Sequence, residues 1–402
     1  MSHLLHSNLS TSICLHNSPS PSFALSPPHS ITTSLSSSIT AFRHENGRRY
    51  HNHGDGLTYP LPNDTDEINR LELQHKVWEI SLNKRLYLAP LPPTITSVLD
   101  IGCGTGIWCI EFADAHPDVQ VLGIDLSPIQ PSNVPPNCRF LVDDANAAWA
   151  FPEKFDFIHT RALNFGVKDW DALLAQAFEH LAPGGWIELD EFHVPLECDD
   201  GSAAADSAVL QWGVMGAEAV AKIGTDARAA LRHGERLREV GFVEVHEQKM
   251  KWPIGPWAAG EKEKKMGQLF LKDMSDGAPG LSVKLLNGLL GWEMSRVDAF
   301  IERLRAEMWN PKGHILGAEA SIRCQAASLS KEFGGQPSFC REKSLQLLKK
   351  MAESAEEWQE GKAWWWSAVQ RVFSPPNRNI SRPRDVFTNR KNRGHKKPIN
   401  SR

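Results

Sequence analysis

The stretch Val98-Leu-Asp-Ile-Gly-Cys-Gly-Thr-Gly-Ile-Trp108 decides the fold of this 402-residue chain. Around its start, residues 97–101 form a short apolar run with one acid, which is typical of a buried strand. From Ile107 to Ala115 the apolar residues recur at helical spacing. The three glycines between these segments permit a tight turn and let a ligand approach the backbone, where the amides of the helix start would face it. The sequence therefore predicts a strand, a ligand-binding turn and a helix.

The spacing of the glycines distinguishes two kinds of cofactor site. A dinucleotide-binding turn has the spacing G-x-G-x-x-G, and Ile107 stands where its third glycine would be. Here Asp100 precedes Gly102, Gly104 and Gly106, which makes the spacing D-x-G-x-G-x-G. It resembles the first motif of class I S-adenosylmethionine-dependent methyltransferases. The alternative, a glycine cluster that binds nothing, does not explain why a strand, a helix and a second strand ending in an acid follow in order.

Acids at the ends of the next two predicted strands support a nucleoside site. The second strand ends in Asp125, which can accept hydrogen bonds from both ribose hydroxyls. After the third strand, residues 138–143, the carboxylate of Asp144 can accept from an adenine amino group while the amide of Ala145 donates to the ring. Asp143 is the close alternative to Asp144. We expect S-adenosylmethionine as cofactor and no metal ion.

Two candidate catalytic residues follow the fourth predicted strand, residues 155–159. His159 and Arg161 emerge at the sheet edge where chemistry occurs in open α/β folds. His159 is a candidate general base and Arg161 a candidate substrate clamp, with structural or cofactor-contacting roles as the alternative. The chain lacks the Asn-Pro-Pro-Tyr-type sequence that many amino-group methyltransferases carry here. The catalytic base is therefore left unassigned.

Helical patterns surround these strands. A helix of about six turns is predicted from Asp64 to Leu86, with Asp64-x-x-Glu67 as a capping box and His75 as a core-facing residue. The fifth and sixth strands are predicted at 186–190 and from Gly241 onward. Helices predicted within 203–308 would form a lid over the substrate, with segments at 203–223, 227–240, 262–274, 281–290 and 293–308.

Composition bounds the class of protein. The net charge is −4, although nine Lys or Arg face one acid in residues 375–402, so the remainder is acidic and unsuited to direct nucleic-acid binding. Seven scattered cysteines without a C-x-x-C pair are typical of a reduced, intracellular protein. No apolar run is long enough to span a membrane. Residues 1–40, rich in Ser and without Lys, Arg, Asp or Glu, are predicted to be disordered.

A family resemblance covers roughly His44 to Pro311. The runs that carry it, as they stand in this sequence, are ENGRRY, LPND, LDIGCGTGIW, FADAHPDVQVLGIDLSPIQPSNVPPNCRFLVDDA, FDFIHTR, FEHLAPGGWIEL and KWPIGPW. Together they resemble the fungal LaeA-like methyltransferases. The resemblance implies a seven-stranded class I fold and bound S-adenosylmethionine. Its cofactor residues correspond to Asp100, Gly102, Gly104, Gly106, Asp125 and Asp144.

The resemblance ends near Pro311, where the family continues into a final strand similar to Val-Val-Tyr-Gly-Arg-Lys-Pro. This chain instead reads Lys312-Gly-His-Ile-Leu-Gly-Ala318, and no run rich in β-branched and aromatic residues follows. The last strand is therefore doubtful. Either residues 315–329 supply a substitute, or the sequence after Pro311 comes from an altered exon boundary. Without that strand, two neighbouring strands would keep unpaired ladder groups.

The predicted organisation is an α/β class I methyltransferase fold, Rossmann-like, with helices on both faces of the sheet and disordered termini. The predicted parts are a disordered leader and polar flap (1–56), the methyltransferase domain (57–311, with its cofactor half at 97–200 and its lid at 203–308), an atypical extension (312–374) and a basic disordered tail (375–402).

Two hypotheses of function follow. The leading one is a cytoplasmic enzyme that transfers a methyl group to an oxygen or nitrogen of a fungal secondary metabolite, either a small molecule or a peptide-derived product. The alternative is a nuclear regulator that acts through protein partners, since Arg390-Lys391, Arg393 and Lys396-Lys397 resemble a nuclear-import signal. A pseudoenzyme without its last strand is a third interpretation.

Overall fold

The computed structural model of the chain describes residues 42–52, 59–204, 206–310 and 313–326. The predictions for the Ser-rich leader and the basic tail lie outside these residues. Within them the strands are β1 (Arg43–Glu45), β2 (Arg48–Tyr50), β3 (Ser97–Ile101), β4 (Gln120–Asp125), β5 (Cys138–Val142), β6 (Phe155–Arg161), β7 (Leu181–Glu197), β8 (Phe242–Pro253) and β9 (Leu316–Ala326). The α-helices are α1 (Thr65–Ser81), α2 (Ile107–Ala115), α3 (Trp170–His180), α4 (Ala208–Ala221), α5 (His233–Val240), α6 (Glu261–Val283) and α7 (Met294–Met308).

Strands β3 to β9 form one seven-stranded sheet in the order β5-β4-β3-β6-β7-β9-β8. The five adjacent strands β5, β4, β3, β6 and β7 are parallel to one another. Strand β9 runs antiparallel to both β7 and β8. Successive strand residues point to opposite faces. Val98 packs with α2 in one apolar cluster and Leu99 packs with α3 in another, so the sheet is covered on both faces. The predicted class I architecture is confirmed.

The predicted polar flap contains a β-hairpin. Strands β1 and β2 pair antiparallel across Asn46 and Gly47, which both have positive φ angles. This is the backbone conformation that a tight hairpin turn requires, and Asn-Gly is the residue pair that adopts it best. The guanidinium of Arg48 then donates to both carboxylate oxygens of Asp64, which ties the hairpin to the start of α1.

Helix α1 begins as predicted but ends earlier. The side chain of Asp64 accepts from the backbone amide of Glu67 at 3.1 Å, which is one half of a capping box. The other half is missing because the Glu67 carboxylate binds Arg70 instead. The helix ends at Ser81 rather than near Leu86, since Asn83 and Lys84 adopt left-handed φ angles of 56° and 63°.

The lid is helical, as predicted, but α6 is longer than expected. The sequence analysis separated helices at 262–274 and 281–290, whereas α6 runs through Pro279 and continues into a π-helical turn, Lys284–Leu289. A proline inside a helix removes its own amide donor, and its ring also crowds the carbonyl group four residues earlier. The surrounding residues Gly277, Ala278 and Gly280 are buried, so tertiary packing outweighs that local loss. None of the helices in the described part of the chain has the length and apolar character that crossing a bilayer requires.

The last strand, which the sequence left in doubt, is β9. It lies between β7 and β8, with Ile187 opposite Cys324 and Trp252 opposite Gly317. Its run of small residues has low intrinsic preference for strands, which is why the pattern did not reveal it. A strand in this place completes the hydrogen-bonded ladders of two neighbours, and that context outweighs intrinsic preference. Of the two alternatives that the sequence left open, the structure therefore favours the first: the strand comes from within residues 315–329, and the sheet extends past Pro311.

Candidate active site

The glycine turn lies between β3 and α2, at the carboxyl edge of the sheet. Gly102, Gly104 and Gly106 all have left-handed φ angles, of 70°, 55° and 78°. The amides of Gly102 and Cys103 donate to the carbonyl oxygen of Ile124 at 2.8 and 3.0 Å, which anchors the turn to β4. Residues with a Cβ rarely adopt these angles, so the turn requires glycine on conformational grounds alone.

The three glycines differ in what surrounds them. A Cβ added at Gly102 would lie 2.3 Å from Leu163 Cδ2, and one added at Gly106 would lie 2.4 Å from Phe140 Cζ. These two glycines therefore permit close packing. At Gly104 the nearest atom, Leu71 Cδ1, is 3.6 Å away, so the backbone here borders open space. Gly104 is the position at which a ligand can approach the chain.

Asp125 stands at the end of β4 beside this space. Its Oδ2 accepts from the amide of Gly104 at 2.9 Å and its Oδ1 from the amide of Ser127 at 2.8 Å. Burial raises the pKa of Asp125 to about 6, against the opposing effect of these two hydrogen bonds. Each carboxylate oxygen keeps a second lone pair, so the group can still accept from two hydroxyls.

The acids after β5 lie on the same cavity wall. Asp143, Asp144 and Ala145 line the cavity together with the glycine turn and Asp125. The backbone amide of Asp144 donates to Asp143 Oδ1 at 2.9 Å. Asp144 Oδ1 accepts from the backbone amide of Asn146 at 2.9 Å. Of the residues that the sequence proposed for cofactor binding, the structure brings all but Gly106 to the lining of one cavity, and Gly106 packs against Phe140. Asp143 and Asp144 stay alternatives for adenine.

Asp100 and His159 form a buried ion pair in the lining of the cavity. His159 Nδ1 lies 2.7 Å from Asp100 Oδ1, and its Nε2 lies 3.6 Å from Asp190 Oδ2. The thiol of Cys109 donates to the second oxygen of Asp100 at 3.2 Å. The imidazole stacks on the Trp108 ring, with centroids 3.9 Å apart and an interplanar angle of 4°. Asp100 therefore supports the floor of the site through contacts with protein groups.

These contacts bear on the base role predicted for His159. Burial lowers its pKa, but the carboxylates of Asp100 and Asp190 outweigh this effect and raise it to about 9. The ring is then protonated at neutral pH, with both nitrogens directed toward carboxylates. An imidazolium has no free lone pair with which to accept a proton, so the geometry favours a positioning role over that of a base.

Arg161 is held by a neutral histidine. Its Nη2 lies 3.0 Å from His75 Nδ1, and His75 Nε2 lies 2.9 Å from Glu111 Oε2. Burial and the nearby Arg161 charge lower the pKa of His75 to about 3. His75 Nδ1 then accepts from the guanidinium while Nε2–H donates to Glu111. His75 is buried, as predicted, and this pairing orients Arg161 along the cavity wall.

From the glycine turn the cavity continues under the lid helices. Its walls there are mainly apolar and come from β7, α4 and α6 and from the segments beside them: Phe165, Phe192, Val194, Leu196, Trp212, Phe270, Met274, Leu281 and Leu285. Comparisons with known proteins show the family of the chain. A family model described as a methyltransferase domain matches residues 73–246.

Methyltransferase pytC of Aspergillus terreus is 38% identical to this chain over 287 residues, which are 71% of this chain and 88% of pytC. The secondary metabolism regulator laeA of Aspergillus flavus is 34% identical over 297 residues, 72% of this chain and 79% of its own length. The chain belongs to the fungal LaeA-like methyltransferases. The probable methyltransferase tdiE of Emericella nidulans is 35% identical over 250 residues, 62% of this chain and 78% of tdiE.

The cofactor of this LaeA-like methyltransferase is S-adenosylmethionine. The structure fits that cofactor in two respects. Open space borders the backbone at Gly104, where a side chain would intrude, and the carboxylate of Asp125 faces the same space. The space then leads to the apolar part of the cavity, as transfer to a second molecule requires.

Sequence reasoning missed a buried charge network beside the cavity of this LaeA-like methyltransferase. The Arg70 guanidinium binds the Glu67 carboxylate at 2.8 Å and Asp273 Oδ1 at 3.0 Å, and all three groups are buried. It joins α1 to the lid helix α6. The three-residue spacing of Glu67 and Arg70 was a visible signal for half of the network. Asp273, the third residue of the network, lies 203 residues after Arg70, and no pattern in the sequence connects the two.

Tyr59 is a second residue that the analysis did not single out. It lines the cavity, and burial raises the pKa of its phenol. Its ring lies 3.5 Å from the position that a Cβ at Gly166 would take. The same segment continues to Asn63, whose side-chain amide donates to the Ser127 hydroxyl at 3.1 Å. This segment covers the cofactor side of the cavity.

Proposed function

We propose that this chain transfers the methyl group of S-adenosylmethionine to an oxygen or nitrogen of a fungal secondary metabolite, either a small molecule or a peptide-derived product. One observation carries the proposal: the glycine turn and Asp125 share a continuous cavity with the apolar walls of the lid. A pocket with apolar walls and a few polar groups is typical of a site for a small organic molecule. The relatives pytC and tdiE are named as methyltransferases, which supports the same activity.

The protein's contribution to such a reaction is mainly placement. S-adenosylmethionine supplies a methyl group that its sulfonium already activates. In this proposal Asp125 holds the ribose hydroxyls, Asp144 and the amide of Ala145 hold the adenine, and the glycine turn carries the remainder of the cofactor. The lid excludes water, and Arg161 orients the polar end of the acceptor or stabilises its anion.

The alternative is a regulatory protein that binds cofactor and acts through protein partners. The name of the laeA relative supports it. The apolar lid cavity favours the enzyme, because a regulator that works only by assembly has no need of an enclosed acceptor site. We propose a cytoplasmic location, with the nucleus as the location that the alternative requires.

Isotope labelling tests the proposal. The purified chain would be incubated with S-adenosylmethionine carrying a trideuterated methyl group and a metabolite extract of a producing fungus, and the products would be analysed by mass spectrometry. A labelled small molecule that is absent with Gly104→Val is the expected result. A parallel reaction would contain protein of the same fungus in place of the metabolite extract. Label found only in that protein would refute the metabolite assignment and favour the regulator.

A further inference from the structure

Helix α4 has two glycines on the cavity side, and packing explains only one of them. A Cβ added at Gly213 would lie 3.0 Å from the backbone nitrogen of Leu196, so Gly213 lets α4 approach β7. At Gly216, apart from its chain neighbours and the backbone of its own helix turn, no atom of the described residues lies within 4 Å of an added Cβ, although the residue is buried and lines the cavity. Gly216 therefore faces enclosed open space.

A glycine in this position calls for an explanation. Inside a helix, glycine is less favourable than alanine because the unfolded chain loses more conformational freedom. The two common structural reasons are a left-handed φ angle and a close neighbour. Gly216 lies within α4, is not among the residues with positive φ, and has no close neighbour among the side chains and other elements that the structure describes. The effect of glycine at this position is to leave volume in the cavity that a side chain would fill.

The wall around this volume is apolar. Trp212, Phe270 and Met274 are buried and line the same cavity, and the indole N–H of Trp212 already donates to Ser282 Oγ at 2.9 Å. That donor is therefore not available to a ligand. A charged group placed against these three side chains would lose its water and meet mainly apolar surface, whereas a flat ring would gain contacts with the aromatic faces.

We infer that the surface of α4 at Gly216, with Trp212 of the same helix and Phe270 and Met274 of α6, is the subsite for the body of the methyl acceptor. It takes an uncharged, flat, apolar ring system, and Gly216 sets the size limit. The inference rests on the proposed function for the reaction itself, and it adds the class of acceptor and the residue that selects it.

Binding of a neutral ring probe tests the subsite. The full chain, saturated with S-adenosylhomocysteine, would be titrated with 2-naphthol in a calorimeter. Gly216→Leu is expected to weaken 2-naphthol binding by about tenfold or more while leaving the affinity for S-adenosylmethionine unchanged. Ala221→Leu, which adds a side chain of similar size on the exposed side of α4, is the control and should bind 2-naphthol as the unaltered chain does. The cationic analogue 2-naphthylmethylamine should bind more weakly than 2-naphthol.

A smaller substitution guards against a variant that fails to fold. Gly216→Ala should raise the melting temperature, because alanine favours the helix and its methyl group meets no neighbour. A lower melting temperature would show that the space is filled and would overturn the inference. So would unchanged 2-naphthol binding in Gly216→Leu, or no 2-naphthol binding by the unaltered chain. Failure of the proposed function is distinct, since it would appear as normal probe binding without transfer of label to any metabolite.

Discussion

Alanine at Gly106 should destabilise the fold, whereas alanine at Gly104 should chiefly weaken cofactor binding. Both positions have left-handed φ angles, 78° and 55°. Each substitution therefore costs roughly 1–2 kcal/mol in backbone conformation. The two variants differ in what the new methyl group meets, and that difference is the basis of the prediction.

The steric part of the free-energy loss in Gly106→Ala comes from the ring of Phe140. The new Cβ at Gly106 would lie 2.4 Å from Phe140 Cζ, and the same ring is held over Gly123, where an added Cβ would lie 2.7 Å from Phe140 Cδ1. Overpacking of this kind costs roughly 1–3 kcal/mol. Gly106→Ala should thus lose about 2–5 kcal/mol of folding free energy. Gly104→Ala should lose only the backbone part, since its nearest neighbour is 3.6 Å away.

Urea unfolding monitored by tryptophan fluorescence measures the stabilities, and calorimetry measures the affinity for S-adenosylmethionine. Adding Phe140→Leu to Gly106→Ala should recover part of the loss, because it removes the ring that the methyl group meets. The reasoning fails if Gly106→Ala is no less stable than Gly104→Ala, or if Gly104→Ala binds the cofactor with unaltered affinity.

Three further predictions concern charge and the last strand. Asp125→Asn should weaken S-adenosylmethionine binding by about 1.5–3 kcal/mol by calorimetry, since charge-assisted bonds become neutral ones. Because the pKa of Asp125 is raised to about 6, the affinity of the unaltered chain should also fall as the pH drops through 6, and a flat profile would contradict this. The folded-state pKa of His159 is raised from 6.5 to about 9, so its stabilising contribution is present below pH 6.5 and lost as the pH rises through 9. His159→Gln should remove about 3 kcal/mol of pH dependence from the unfolding free energy over that range, and an unchanged slope would refute the ion pair. Ending the chain at Asn310 should lower the melting temperature by many degrees because two strands lose their ladder partner, and an unchanged melt would show that β9 contributes little.

The parts of the fold that sequence could predict are those determined by local signals. Strand β3 and helix α2 have the bounds that the pattern indicated, because an apolar run, a glycine turn and a helical repeat follow one another directly. The sheet edge could also be predicted, since acids end successive parallel strands. Asp125 and Asp144 accordingly line the same cavity as the glycine turn.

The parts that could not be predicted depend on partners far along the chain. The pairing of His75 with Arg161 spans 86 residues and needs the folded geometry to fix the protonation state of the imidazole. The sequence left His159 open between a base and a structural role, because the choice depends on its protonation state. The nearby carboxylates of Asp100 and Asp190, which raise its pKa, become apparent only in the folded structure. Strand β9 contains small residues that have a low preference for strands, and its place between β7 and β8 determines its structure.

The position of β9 also affects how the protein is made. During synthesis β7 and β8 are complete before β9 leaves the ribosome, yet the order β7-β9-β8 means that they do not pair with each other. Each then exposes an open ladder edge, which is the kind of surface that pairs with other chains. Closure of the sheet must wait for residues near the end of the described chain. We therefore expect the nascent protein to depend on chaperones, and its yield in a foreign host to be limited by aggregation before release rather than by unfolding afterwards.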